Sequence, residues 1–289
     1  MKKLILILLF WVPAVLAVQA QGWRKTFGEP SISESSNFIT RTADDGFLVQ
    51  SSDDNSSNFV SLYRLDKDGA IIWRFDASPD YIDLGKIVVD TAGNIYVEAH
   101  RIGTRRVLKL DSSGNLLTAT EIGFYQLAGI QSNGLILWSQ PIADTTSIRK
   151  YDFDGSLIWD KRMKTTGSTY TLKVGDDGRI YYMTNGTSTT NDLIALDQDG
   201  NFIWSYSVDD EKYLSLTIDQ QGNLILSGTE NGFVPGQNHK FYLLKLSPAA
   251  AELWNTTYDI APYDIVRKDR KSTRLNSSHS TLSRMPSSA

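Results

Sequence analysis

Cysteine is absent from all 289 residues of the chain. Its absence excludes disulfide bonds as a source of stability and thiolate ligands for a structural zinc ion. Histidine is almost as scarce, since His100, His239 and His279 are the only copies, and their wide separation suggests neither a metal cluster nor a catalytic triad. We therefore predict no metal site, no cofactor and no catalytic residue.

An excess of basic charge is also lacking. The chain has 29 Lys and Arg against 33 Asp and Glu, a net charge of −4 at pH 7. Proteins that bind nucleic acid concentrate Lys and Arg on one face to neutralise phosphates. The composition therefore argues against a nucleic-acid partner.

The one long apolar run lies at the N-terminus. Lys2 and Lys3 precede the apolar stretch Leu4–Ala17, and the small-residue site Val18–Ala20 follows it. This order is typical of a cleaved secretory signal peptide, and the stretch is too short for a comfortable membrane span. We predict a signal peptide at residues 1–20 and a secreted or surface-located mature chain without a membrane span. An uncleaved anchor is the alternative.

A nine-residue motif recurs five times with a turn in its middle and, in most copies, tryptophan at its end. The copies are Leu65–Trp73, Leu110–Thr118, Tyr151–Trp159, Leu196–Trp204 and Leu246–Trp254. Their final positions lie 45, 41, 45 and 50 residues apart. Thr118 replaces one tryptophan, and the last copy has lost the Asp and Gly of its turn.

A second motif alternates with the first and contains a glycine turn. Its copies are Ala43–Ser51, Asp90–Glu98, Gln131–Ser139, Gly175–Met183 and Asp219–Ser227. Asp-Gly and Asn-Gly pairs favour tight hairpins because glycine tolerates positive φ. Four antiparallel strands in about 40–45 residues are typical of a propeller blade. We predict an all-β fold: a β-propeller of four-stranded antiparallel blades, with five complete repeats plus a truncated further blade.

The phase of the tryptophans predicts how the ring closes. Trp23 lies 50 residues before Trp73 and belongs to the same series, so Gly22–Gly28 is expected to be a fourth strand without its first three. Such a strand completes the last blade and removes a sheet edge. Residues 255–268 read as the start of another blade, so we predict a monomeric ring of at least six blades.

The C-terminal residues 269–289 have no hydrophobic period. One reading frame of a common short-read sequencing adapter translates to Asp269–His279, and its continuation translates to Ser283–Ala289. We interpret this segment as a non-native, disordered tail, and residues 21–268 as a propeller that is incomplete at its C-terminus. Removing the tail's net +3 and the leader's +2 from −4 leaves −9 for residues 21–268.

The segments WRKTFG, DDGFLV and LDKDGAIIW, beginning at Trp23, Asp44 and Leu65, resemble secreted β-propellers with PQQ-like or WD40-like repeats that are common in Bacteroidota. The resemblance implies cargo of the type IX secretion system, whose members often carry a C-terminal sorting domain. Asp197, Gly200 and Trp204 also resemble the tryptophan-docking motif of quinoprotein dehydrogenases. There the motif locks blades together, and the cysteine pair that those enzymes place beside the quinone is missing here, so the resemblance implies no quinone.

Paired acids in the turns make calcium binding a candidate function of these turns. They are Asp66 and Asp68, Asp152 and Asp154, and Asp197 and Asp199. An EF-hand loop also needs a glutamate six residues after its glycine, where Phe75, Lys161 and Tyr206 stand instead. We predict that these acids shape the turns. The acids at 209–211 read as a solvated loop, with a glycosidase acid pair as the alternative.

Tryptophans and loops are the other candidates for recognition. Trp73, Trp159, Trp204 and Trp254 end the fourth strands, which favours packing between blades over a row for stacking sugars. Trp138 departs from this series and is a candidate for the central channel. The polar segments Thr184–Asp192 and Thr229–His239 are candidate recognition loops.

Taken together, these features predict an exported, non-catalytic binding or scaffold module. Its ligand, an unknown protein or glycan, is not indicated by any motif. A carbohydrate-binding or carbohydrate-active propeller enzyme is the first alternative, and a sensor ectodomain is the second.

Overall fold

A computed structural model describes residues 34–36, 38–53, 60–139, 145–164, 169–185, 190–209, 215–229 and 239–260. Within these ranges no helix is long and apolar enough to cross a membrane. The predicted signal peptide, the strand at Trp23 and the adapter-like tail lie outside the described residues. Of residues 255–268, which were expected to begin a further blade, 255–260 instead continue the last strand of the fifth repeat, Glu252–Ile260, and the others lie outside the described residues.

Twenty-one strands form five antiparallel sheets, which we number blades 1 to 5 in chain order. Blade 1 contains β1 (Glu34–Ser35), β2 (Ile39–Arg41), β3 (Phe47–Asp53), β4 (Val60–Leu65) and β5 (Ile71–Asp76). Blade 2 contains β6 (Asp83–Val89), β7 (Ile95–Arg101), β8 (Thr104–Leu110) and β9 (Leu116–Gly123). Blade 3 contains β10 (Gln126–Gln131), β11 (Gly134–Trp138), β12 (Thr145–Tyr151) and β13 (Leu157–Lys164). Blade 4 contains β14 (Thr169–Val174), β15 (Ile180–Asn185), β16 (Thr190–Leu196) and β17 (Phe202–Asp209). Blade 5 contains β18 (Ser215–Ile218), β19 (Leu224–Thr229), β20 (His239–Leu246) and β21 (Glu252–Ile260).

In blades 2 to 5, strands that are neighbours in the sheet are also neighbours in the chain. In blade 1, both β1 and β2 pair with β3, and β4 and β5 follow in chain order. The first strands of successive blades contact each other, so they lie innermost. The predicted all-β propeller of four-stranded antiparallel blades is confirmed, with five complete repeats.

The hydrophobic core lies between blades. Four clusters of buried side chains each join two successive blades. Strand β7 shows why, because Val97 packs toward blade 1 while the adjacent Tyr96 packs toward blade 3. Side chains alternate between the two faces of a strand, so a blade with both faces covered needs apolar residues at consecutive positions.

Trp138 follows the same alternation. It is 7% exposed and packs with Ile136 in the cluster between blades 3 and 4. Its proposed place in the central channel is therefore wrong. The second strand of a blade lies between its neighbours, and the face that Trp138 shares with Ile136 is covered by blade 4.

The glycine turns join the first to the second strand and the third to the fourth. In the turn at 66–70, the Asp66 carboxylate accepts hydrogen bonds from the backbone N–H groups of Asp68 and Ala70 at 2.9 and 2.7 Å. The Gly69 N–H donates to the Asp66 carbonyl, and Gly69 has a φ of 77°. Asp at the first position and Gly at the fourth are typical of type I turns. The turn is longer than the two-residue loop of the shortest hairpins, and the predicted turn role of the first acid is confirmed.

The turn of the last repeat, which has lost its Asp and Gly, keeps this geometry with other residues. The Ser247 hydroxyl accepts hydrogen bonds from the N–H groups of Ala249 and Ala251, and Ala250 takes the glycine position with a φ of 63°. A left-handed conformation costs a residue with a Cβ about 1–2 kcal/mol. Ala250→Gly is therefore expected to stabilise the chain by about 0.5–1 kcal/mol in urea unfolding, because the relief of strain exceeds the entropy cost of glycine. Ala249→Gly, the control, should be destabilising, and a stabilising effect there would contradict the argument.

A single contact recurs between neighbouring blades at these turns. The carbonyl of the second turn residue accepts a hydrogen bond from the preceding blade. Trp73 Nε1 donates to Ser112 O at 3.0 Å, and Trp204 Nε1 donates to Pro248 O at 3.1 Å. Lysines from third strands replace the indole at the other two junctions: Lys109 Nζ donates to Phe153 O at 2.9 Å and Lys150 Nζ to Gln198 O at 3.4 Å.

The predicted packing role of the repeat tryptophans is confirmed for three of the four. Trp73, Trp159 and Trp204 pack against three of the interblade clusters. A Cβ on Gly114 would come within 2.8 Å of the Trp73 ring, so the following turn needs glycine here. Trp254 is different, since it is 39% exposed and belongs to none of the four clusters in the described part of the chain. The packing prediction for Trp254 is not met among these residues.

The lysine at the junction of blades 2 and 3 explains how Thr118 can replace a tryptophan. Lys109 lies opposite Thr118, and its ammonium group donates to the Phe153 carbonyl, the acceptor that an indole would otherwise bind. Lys109→Met is expected to lower the free energy of unfolding by about 1.5–3 kcal/mol, the range for a hydrogen bond that involves a charged group. Adding Thr118→Trp should recover most of the loss in the same urea titration. If the double variant is no more stable than Lys109→Met, the two donors are not interchangeable. Exposed Lys67→Met is the matched control.

Candidate functional site

The two ends of the blades differ in construction. At one end, which we call the turn face, the glycine turns repeat nearly the same hydrogen bonds from blade to blade. At the other end, the loop face, connections vary in length and sequence, and residues 77–82, 102–103 and 124–125 are described. The candidate loops Thr184–Asp192 and Thr229–His239 join strands at this end, and their central residues lie outside the described ranges. Variable connections on a rigid scaffold are where repeat proteins usually bind partners.

Blade 2 presents an uninterrupted edge to the loop face. Asp83 in β6 lies opposite His100 in β7, and Arg105 in β8 lies opposite Gly123 at the end of β9. Ile82 is tied to the same edge, because its N–H donates to the His100 carbonyl at 2.9 Å. Residues from all four strands of the blade therefore meet at this edge.

The buried carboxylate of Glu98 connects the residues of this edge. Its side chain is buried at about 5% exposure, and His100 Nε2 and Arg105 Nη1 lie 2.8 and 3.1 Å from its Oε1 atom. Its Oε2 atom accepts a hydrogen bond of 3.0 Å from the backbone N–H of Leu127 in blade 3. An ionised carboxylate only accepts, so His100 must carry its proton on Nε2 for this contact. Glu98 thus binds β7 to β8 and blade 2 to blade 3.

Glycine makes room for the buried carboxylate. A Cβ on Gly85 would come within 3.2 Å of the Cβ and Cδ atoms of Glu98. Contacts that short require the neighbour to shift, and Glu98 is held by three donors. A side chain at position 85 would therefore disturb the whole network.

A second carboxyl group lies beside the first. Asp83 Oδ1 accepts a hydrogen bond of 3.2 Å from Gln50 Nε2 in blade 1, and Asp83 Oδ2 lies 3.7 Å from His100 Nδ1. Burial raises the pKa of Asp83, and the negative charge of Glu98 adds to this rise, while His100 partly offsets it. The polar network therefore extends over three blades, from Gln50 to the Leu127 N–H.

A half-buried lysine lies next to this network. Strand β6 has a bulge between Leu84 and Ile87, and from it the Lys86 side chain reaches the Ala128 carbonyl of blade 3. Burial and the positive charge of Lys173 together lower the pKa of Lys86 to about 7, although the negative charge of Glu98 opposes them. Two lysines from the inner strands of blades 2 and 4 therefore influence each other near the axis.

Apolar side chains stand around the polar network. Ile102, at the tip of the β7–β8 hairpin, is 86% exposed, and Phe124, directly after β9, is 81% exposed. Ile82 is exposed on the other side of the same edge. Large apolar side chains at this exposure, grouped on one rim, mark interaction sites more often than isolated ones do.

The sequence candidates are distributed unevenly around this site. Of the histidines, His100 lies in the network, His239 begins β20, and His279 lies outside the described residues. No group of three His, Cys, Asp or Glu residues suited to a metal ion occurs in the described part of the chain. Of the acids at 209–211, Asp209 ends β17 and the other two lie outside the described residues.

Sequence reasoning missed Glu98, although the repeats carried a signal. The equivalent second-strand positions in the other blades hold Gln50, Trp138, Met183 and Ser227. A charged residue among such neighbours, on a strand buried on both faces, needs partners. Comparing the repeats position by position would have identified it.

No family model matches the chain, and no curated protein matches it either. Solved structures with similar folds include a protein of unknown function from Bacteroides caccae, at 15% identity and a TM-score of 0.49 over 78% of this chain and 82% of that one. A protein from Lactobacillus plantarum is similar at 14% identity and a TM-score of 0.49, over 73% of this chain and 67% of that one. The Dos1 propeller is similar at 12% identity and a TM-score of 0.45, over 72% and 67% respectively. These similarities concern the fold and assign no function.

Proposed function

We propose that the protein is an exported, non-catalytic module that binds a protein or glycan partner through its loop face. The difference between the two ends of the blades carries this proposal. The turn face repeats one structural solution, whereas the loop face carries the variable connections. It also carries Ile102 and Phe124, the two most exposed large apolar side chains of the described residues. The proposed export rests on the signal-peptide pattern at residues 1–20.

The charged groups at the loop face support a binding role. Glu98 is already engaged by three donors, and Arg105 is held by Glu98. Groups that are satisfied in this way fix a surface in place, whereas a general acid or nucleophile must be free to reach substrate.

Paired substitutions on the two faces test the proposal. We expect at least one of three charge reversals on the loop face, Asp80→Lys, Arg101→Glu and Glu121→Lys, to weaken binding to any glycan on an array, or to any displayed protein ligand, by about tenfold or more. Lys67→Glu on the turn face is the matched charge reversal and should leave binding unchanged. If binding of a partner is lost only with Lys67→Glu, recognition lies on the turn face and the proposal is contradicted.

A carbohydrate-active enzyme is the second candidate, favoured by one observation. Asp83 and Glu98 lie on either side of His100, and the raised pKa of Asp83 is a property of the proton donor in glycosidases. Asp83→Asn separates the two candidates in hydrolysis assays on glycans. Turnover that disappears with this variant would favour the enzyme, and glycan binding without turnover would favour the binding module.

A further inference from the structure

One group of residues at the loop face has the character of a docking site. We define the blade-2 patch as Ile82, Arg101, Ile102, Arg105 and Phe124. Ile82 precedes β6 and Phe124 follows β9, so the patch crosses all four strands of the blade. At ~4.8 Å between strands it is about 15 Å wide, the length of about four or five residues of extended chain.

The patch is held rigidly by the network beneath it. Glu98 anchors β7 through His100, β8 through Arg105 and the adjacent blade through the Leu127 N–H. The Ile82 N–H donates to the His100 carbonyl, which fixes the side of the patch that precedes β6. A surface ordered before binding loses little conformational entropy when a partner docks. Exposed apolar side chains on a rigid base are therefore suited to act as anchors.

The hairpin that carries Ile102 is basic within an acidic protein. Its sequence from Arg101 to Arg106 is RIGTRR, whereas the whole chain has a net charge of −4. Arg105 pairs with Glu98 at 3.1 Å, and Arg106 lies 3.7 Å from Glu121. Arg101 is exposed, and none of the ion pairs in the described part of the chain involves it. Its planar guanidinium matches the two oxygens of a carboxylate.

We propose that the blade-2 patch binds a short acidic segment of a partner protein. The segment places one apolar or aromatic side chain between Ile102 and Phe124 and one carboxylate on Arg101. The inference rests on the proposed function, since it narrows recognition at the loop face to one blade and one partner chemistry.

An anionic membrane fits the patch less well than a protein does. Basic residues around apolar tips are also found where proteins insert into membranes. Here, however, Asp80, Asp83 and Glu121 occupy the same rim, and anionic headgroups would repel them. A protein segment can place its acids opposite the arginines alone, because charges of both signs are matched individually at protein interfaces.

A displayed library of random twelve-residue peptides, selected against the full chain, tests the inference. We expect enriched peptides to combine Asp or Glu with one aromatic or aliphatic residue. Ile102→Ser, Phe124→Ser and Arg101→Glu should each weaken the best peptide by about tenfold or more. Changing the critical peptide acid to lysine should restore binding to Arg101→Glu. Ile72→Ser and Lys67→Glu alter an exposed apolar and a basic residue elsewhere, and should have no effect.

Unfolding curves for each variant separate loss of binding from loss of folding, since all substituted side chains are exposed. Peptides that bind the loop face but are insensitive to the three patch variants would overturn this inference and leave the proposed function standing. Glycan or peptide binding confined to the turn face would overturn both. Sedimentation with phosphatidylglycerol vesicles that is lost with Ile102→Ser would replace the protein partner by a membrane and overturn the inference.

Discussion

Replacing Glu98 by glutamine is expected to lower the free energy of unfolding by about 2–3 kcal/mol. Hydrogen bonds to a charged group contribute about 1.5–3 kcal/mol, and removing one member of a buried ionic network leaves the others poorly paired. The amide keeps the shape of the side chain, but its nitrogen cannot accept from the Leu127 N–H or from Arg105. Arg105 and His100 reach solvent in part, so the loss stays below that of a fully buried pair.

Urea unfolding at pH 7 measures this loss directly. Glu121→Gln is the matched control because Glu121 is exposed and its Arg106 partner is 3.7 Å away, so we expect a change below about 0.5 kcal/mol. Hydrogen exchange should also quicken in the β7–β8 hairpin of the Glu98 variant, since its anchor is gone. An unchanged urea midpoint would mean that the carboxylate contributes no net stability.

Replacing Lys86 by methionine is expected to stabilise the chain by about 2 kcal/mol at pH 6. The folded pKa of about 7 lies below the ordinary value of 10.5, because burial and the charge of Lys173 oppose protonation. Protonation therefore costs stability in the folded state, and this cost is fully present below pH 7. It is relieved as the pH rises from 7 towards 10, where the unfolded lysine also loses its proton. The side chain is only half-buried, so the effect is smaller than the full shift implies.

The pH dependence distinguishes this effect from better packing alone. Unfolding free energies of the wild type should rise between pH 7 and 10, and those of Lys86→Met should not follow this rise, so the two curves converge. Lys240→Met, at an exposed position on β20, should run parallel to the wild type. A constant difference between Lys86→Met and wild type at every pH would assign the gain to packing.

Repetition made the blades predictable from sequence. Each blade carries its own copy of the strands and turns, so Gly69, Gly114 and Gly200 mark the same turn in blades 1, 2 and 4. The turn length was less predictable, because an Asp-Gly pair fits both a two-residue hairpin and the longer turn observed. Only the contacts of Asp66 to the N–H groups of Asp68 and Ala70 decide between them.

The candidate site could not be predicted in the same way, because it exists between blades. Glu98 is bound by the N–H of Leu127, and Asp83 is bound by Gln50, so each contact crosses from one blade to another. The position of Trp138 could not be predicted for the same reason. Its sequence position marked it as unusual, but only the stacking of blade 4 on blade 3 decided where it lies.

The pairwise joints between blades also govern how the molecule comes apart. Every described core cluster, and every turn carbonyl bound from outside its own blade, connects only two consecutive blades. An array of this kind behaves as a row of coupled units, in which each unit is stabilised by its own energy and by its neighbours. Blade 3, the central one of the five described blades, should retain its amide protons longest, and a defect at the Lys109 joint should divide the row into separately melting parts.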